Sequence, residues 1–168
     1  LKKKMRRTVA KLEWMAAACA LATLAACAAP QPRADTIEVS SVYVVGGVAG
    51  APAALYATIA NPTNSPDTLV ALTTPIADRA DLHTQMQHGE GLGAMVMMAP
   101  VAAIPIPSGD TVRLSPGGRH GMLSGLHRPI VPGDTVDVEL VFRTAGAVAA
   151  RAAVVRYGDL ERLLDTAR

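Results

Sequence analysis

Aromatic side chains are scarce in this sequence, with one Trp, one Phe and three Tyr among 168 residues. A surface that stacks on bases needs several such rings set among positive charges, and neither is present. The formal charge is +2, and six of the sixteen Lys and Arg (Lys2, Lys3, Lys4, Arg6, Arg7, Lys11) fall in the first eleven residues, so the remainder is nearly balanced. No nucleic-acid partner is expected. Cysteine is almost lacking too. Cys19 and Cys27 are the two that occur, which leaves the chain beyond residue 27 without a thiol for a disulfide, a redox pair or a thiolate metal site. Any metal site in the body of the chain must use His, Met and carboxylates. Enzyme hallmarks are also missing: no serine sits in a nucleophile elbow and no glycine-rich loop joins a strand to a helix. HTQMQH at 83–88 lacks the Glu of HExxH and lies in a strand-like setting. The chain reads as a binding protein rather than an enzyme.

The N-terminal apolar run, MAAACALATLAA at 15–26, is too short to span a bilayer. Behind a basic segment it has the form of a signal h-region. It closes on Leu24-Ala25-Ala26-Cys27, an order that resembles the bacterial lipobox. Cys27 would then be the acylated first residue of the mature chain, and acyl chains worth about 0.8 kcal/mol per buried methylene make a stable anchor. The chain therefore divides into a signal (1–26), a lipidated Cys with a flexible tether (27–35), a folded domain (36–156) and a tail (157–168). The expected location is the periplasm or cell surface, on a membrane.

No helical period is evident before the tail. From residue 36 short alternating runs are separated by Gly, Pro, Asn and Asp clusters, as in an all-β domain. The clearest is TVDVELVFR at 135–143, where Val136, Val138, Leu140 and Phe142 share one face. Ser115-Pro116-Gly117-Gly118 has Pro and Gly where a type II turn wants them. Eight or nine strands at this spacing suggest a Greek-key β-sandwich, with a barrel as the alternative. A monomer is expected.

What the chain does have is soft donors in one place. Residues 81–126 hold five of the seven Met and three of the four His, with Asp81, Glu90 and Asp110 as the only acids. Thioethers favour Cu(I), and imidazole suits copper and zinc alike. His120 and Met122 are two apart, so on a strand both project from one face, and Gly117, Gly118 and Gly121 are expected to leave space around them. Met95 and Met97 would share one face of their strand, Val96 and Met98 the other, with one pair packing in the core. His83 ends an alternating run, with Met86 and His88 just beyond. His127 reads as a solvated loop residue.

Met98, twenty-one intervening residues and His120-Gly121-Met122 resemble the second part of the motif H-x10-M-x21-H-x-M of the periplasmic copper chaperones of the PCuAC type. IPIPSGDTVRL at 104–114 is similar to that family's IEIPAGGTVEL, PGGRHGML at 116–123 to its PGGYHLML, and YATIAN at 56–61 to its YLTIEN. The likeness runs from about residue 36 to 155. It departs at the first ligand, because fourteen residues rather than ten separate His83 from Met98. Four extra residues in the following hairpin loop would account for this, since such loops absorb insertions. His88, separated from Met98 by nine residues, is the rival. The resemblance implies a cupredoxin-like β-sandwich holding Cu(I) through His83, Met98, His120 and Met122, with His88, Met86 and Met97 as further candidates. It also implies delivery to a terminal oxidase copper site or a Sco-type copper protein. The competing expectation is a lipid-anchored binding module that has lost the metal.

Overall fold

The computed structural model describes residues 36–47, 49–88 and 95–166; the signal, the tether and Cys27 lie outside them. Ten strands precede one helix: β1 (Glu38–Val45), β2 (Ala53–Ala60), β3 (Asp67–Thr73), β4 (Ala77–His88), β5 (Met95–Pro100), β6 (Ile104–Ile106), β7 (Thr111–Leu114), β8 (Arg119–Leu126), β9 (Thr135–Phe142), β10 (Gly146–Val154) and α1 (Tyr157–Thr166). Ten strands form instead of eight or nine because even the two shortest runs find partners, β6 on β3 and β7 on β2. No helix among the described residues is long and apolar enough to cross a membrane.

Hydrogen bonding runs in the order β5-β4-β8-β2-β1-β10-β9-β3-β6, with β7 on the far half of β2. Non-consecutive neighbours such as β4–β8 and β3–β9 are the crossovers of a Greek key. The ladder folds over on itself as a sandwich rather than an open barrel. Its inner faces bury Leu55, Ile59, Leu69, Ile104, Leu123 and Leu140, and the alternation at Val136, Val138, Leu140 and Phe142 puts all four inside, as their period-two pattern requires. β1 shifts register between Ser40 and Tyr43, and Ser41 has φ 50° there, a bulge at the point where the strand acquires β10 as a second neighbour.

Among the described side chains no methionine is buried in this core. The expectation that one same-face pair of β5 packs in the core is overturned: Met97 of the one pair is exposed, and so are both members of the other, Val96 and Met98. The reason is positional. β8 accompanies β4 only from Ala77 to Thr84, so the β4–β5 ribbon runs on beyond the end of the sandwich.

Two buried polar residues tie the loops. Asn61 stitches the β2–β3 turn to the β6–β7 turn through its side chain and backbone. Asp67, buried at the start of β3, accepts hydrogen bonds from the backbone N–H groups of Thr68 (2.7 Å), Thr144 (3.0 Å) and Ala145 (2.9 Å), fixing the β9–β10 turn. Burial pushes its pKa up, but the three N–H donors outweigh burial and hold it below the ordinary value. A carboxylate with a folded pKa below its unfolded pKa adds stability above the unfolded value, and that stability is lost as pH falls through the folded one. Asp67→Asn should therefore be less stable than wild type at pH 7, with the gap closing below about pH 4, where the unfolded carboxyl protonates. Urea transitions between pH 7 and pH 2.5 check this.

Candidate metal centre

β4 lies between β5 and β8, and opposed residues in such a ladder project to the same face. His83 pairs with His120 on β8 and with Pro100 on β5. One pleat along, Gln85 pairs with Met98; one pleat the other way, Asp81 pairs with Met122. On the far side of β8, Ala54 of β2 is opposite Met122. Strand period two thus brings His83, Met98, His120 and Met122 to one face of three neighbouring strands. This is the outer face, because the alternate residues Leu82, Gly121, Leu123 and Leu55 are buried in the core.

The rings of His83 and His120 have centroids 6.0 Å apart and tilted by 42°. Two imidazoles that share one ion at about 2.0–2.1 Å from each nitrogen have centroids about 5–6 Å apart. Met98, His120 and Met122 line one open recess of about 270 Å³ together with Gln85, Tyr56 and Tyr157. His83 stands beside His120 rather than in the recess wall.

His120 is 4% exposed and its Nδ1 lies 3.1 Å from the Gly118 carbonyl oxygen. A carbonyl can only accept, so Nδ1 carries the proton and Nε2 keeps its lone pair, the usual arrangement of a metal-binding histidine. The Pro116-Gly117 turn supplies that carbonyl. Gly117 has φ 76°, and the Gly118 N–H closes the turn on Ser115 at 3.1 Å, as a type II turn demands. The Nδ1 of His83 is buried with no hydrogen-bond partner. An unpartnered buried nitrogen is costly, and a bound ion would satisfy it. Asp81, the one acid beside these residues in register, is engaged by Arg79 at 2.8 Å. Among the described residues no three His, Cys, Asp or Glu gather tightly enough to hold an ion, so thioethers must complete any site here.

Several expectations change. Gly121 does not open space at the site: a methyl added there would lie 2.5 Å from Leu72 Cδ1, so this glycine lets β8 press against β3 across the core. Met86 pairs with Met97, one rung from Gln85 and Met98, and both therefore belong to the opposite face from His83. His88 pairs with Met95 at the end of the ribbon, five residues past His83. His127 is exposed beyond β8, its Nε2 2.9 Å from the Asp78 carboxylate, as a loop residue would be. Tyr56, Gln85 and Tyr157 were not legible as wall residues. Tyr56 has the one usable signal, an aromatic on the non-core row of β2, with its ring 6.3 Å from that of His120. Burial, and after it the nearby Tyr157, push the Tyr56 phenol above its ordinary pKa, so it faces the recess as a neutral hydroxyl.

Known proteins carry the same architecture. The LpqE-like lipoprotein family matches residues 37–154. The lipoprotein Lxx21020 of Leifsonia xyli subsp. xyli is 31% identical over 135 residues, 80% of this chain and 79% of that protein. Cu(I)-DR1885 from Deinococcus radiodurans, solved in solution, is 31% identical with a TM-score of 0.54, over 79% of this chain and 88% of that one. The apo PCuAC domain from PmoF1 is 27% identical with a TM-score of 0.58, over 72% and 94%. The copper-bound PCuAC domain from PmoF2 has a TM-score of 0.60 at 24% identity, over 72% and 93%, and speaks for the fold alone. The domain is thus a cupredoxin-like β-sandwich of the PCuAC kind. Because the family match takes in nearly the whole described sandwich and the Leifsonia relative spans four-fifths of the sequence, this chain belongs to the LpqE-like lipoprotein family.

Proposed function

We propose that this protein is a lipid-anchored copper chaperone, not an enzyme, that holds Cu(I) with His83, Met98, His120 and Met122. From an anchor at Cys27 outside the cytoplasmic membrane it would pass the ion to the copper centre of a terminal oxidase, directly or through a Sco-type protein. The observation that carries the reading is the register, which sets His83 opposite His120 and puts both on the face that bears Met98 and Met122. The similarity to Cu(I)-DR1885 supports the choice of ion. So does the donor set, which offers two thioethers and two neutral imidazoles, no thiolate, and one carboxylate already neutralised by Arg79.

Exposure suggests how the ion leaves. Met98 is on the edge strand and 57% exposed, Met122 is half-buried, and His120 is buried. An acceptor approaching β5 would displace Met98 first and reach the histidines last. Neutral ligands exchanged one at a time keep each barrier low.

The departure at the first ligand has a physical account. Four residues added to the end of a hairpin lengthen each strand by two, a full pleat period, so His83 and Met98 keep a common face. The test titrates Cu(I) into the full chain against a competing chelator. His83→Ala should weaken the tightest equivalent by at least about 10-fold, the smallest loss usual even for an outer-shell partner, while His88→Ala leaves it unchanged. Equal losses would overturn this ligand set, and no binding tighter than micromolar would favour the metal-free binding module.

A further inference from the structure

α1 begins past Val154, where the stretch matched by the LpqE-like family ends, yet its first residue lines the recess. Tyr157 borders the same space as Met98, His120 and Met122. Two attachments hold it there. The Val155 N–H donates to the Val44 carbonyl at 3.0 Å, which ties the entry of the helix to β1, and the Asp159 N–H closes the first turn on Arg156 at 3.0 Å. Leu160 is fully buried but stands apart from the main core cluster. The helix therefore rests on β1 through a small contact of its own, on the outer face that bears the recess.

In the order β5-β4-β8-β2-β1, Met98 stands on one side of the recess and α1 on the other, with His120 and Met122 of β8 between them. Tyr56 of β2 is close to Tyr157: burial first, and Tyr157 after it, raise the Tyr56 phenol, which puts the two phenols within electrostatic reach. The Tyr56 ring is in turn 6.3 Å from that of His120, so the two tyrosines make an aromatic wall on the α1 side. Neither offers a donor that Cu(I) prefers, since a phenol oxygen is hard where a thioether is soft. A wall that does not ligate leaves the binding equilibrium alone. It acts on the path by which donors are exchanged.

We propose that Tyr157 is a specificity-determining residue of the copper site: its ring screens His120 and Met122 on the α1 side, so that a bulky acceptor takes the ion only from the Met98 side. This rests on the copper reading above and extends it to the shape of the acceptor. Donors carried on a slender loop pass the wall; donors set on a broad face do not. The ion stays Cu(I) throughout, and each donor it leaves is replaced by one from the acceptor.

The experiment loads the full chain with one equivalent of Cu(I) and follows its removal by an excess of bicinchoninate, a bulky planar chelator, or of the small ligand cyanide. Tyr157→Ala should speed removal by bicinchoninate about 10-fold, which corresponds to about 1.4 kcal/mol of barrier, and leave both the Cu(I) affinity and the cyanide rate unchanged. Tyr157→Phe keeps the ring and should behave as wild type. Leu160→Ala frees the helix without entering the main core and should match Tyr157→Ala. The proposal is overturned if the bicinchoninate rate of Tyr157→Ala stays at the wild-type value, or if it rises together with the cyanide rate, as it would on a general loosening of the site. A wild type that binds no Cu(I) sinks the copper reading and the screen with it, whereas a wild type that binds tightly and shows either of those rate patterns sinks the screen alone.

Discussion

Replacing His120 and Met122 together by alanine should weaken the tightest Cu(I) equivalent by more than about 100-fold. Loss of a single outer-shell partner typically costs about 10–100-fold in metal affinity, and this pair would remove two of the four proposed donors. The two residues project from the same face of β8, with His83 opposite one and Asp81 opposite the other. What remains is His83 and Met98, one donor on each of two strands, with nothing from β8 to complete a four-donor set. His120 is buried and its ring packs beside those of Tyr56 and His83. Its loss therefore also removes packing, so a urea transition must accompany the titration. A variant that keeps a cooperative transition and loses the tight equivalent has lost a ligand. A folded variant that retains wild-type affinity would show that β8 does not hold the ion.

The sequence states part of this site plainly. His120 and Met122 are two apart in a strand, and period two alone puts them on one face. That His83 lies opposite His120 is a matter of cross-strand register between strands separated in the chain by β5, β6 and β7, and nothing local encodes it. Strand identity was legible where one face is buried, as in 135–142, because burial imposes alternation. The same alternation misleads at 95–98. It correctly separates the faces of Met97 and Met98, but it does not reveal where the sandwich ends, so a row that is core elsewhere emerges into solvent. Gly121 fails for a related reason. A glycine between two candidate ligands suggests room for an ion, yet the residue between two outward-facing positions points inward, and Leu72 fills that space. Tyr157 enters the recess wall from α1, whose docking on the sheet through the buried Leu160 depends on tertiary contacts alone.

Asn61→Ala should destabilise the domain by about 3 kcal/mol while leaving the Cu(I) affinity of the folded protein unchanged. Asn61 is fully buried at the end of β2, and its amide donates to the carbonyls of Ser65 (2.9 Å) and Ile106 (3.2 Å). Its side-chain oxygen accepts from the Thr63 N–H at 3.1 Å, and its backbone exchanges bonds with Asp110 and Gly109. Alanine keeps the backbone bonds but strands a buried carbonyl on β6 and loosens the turn that launches β3. Each group left unsatisfied costs about 1–3 kcal/mol, which for a domain of this size lowers Tm by about 10 °C. The residues of β2 that line the recess, Ala54 and Tyr56, precede the half of the strand that pairs with β7, and Ala54 lies where β8 is the neighbour. Stability and affinity should therefore separate: a thermal melt shifts and the copper titration does not. If affinity falls in step with stability, the register of β2 sets the recess along its whole length, and the corner at Asn61 belongs to the copper site as much as to the fold.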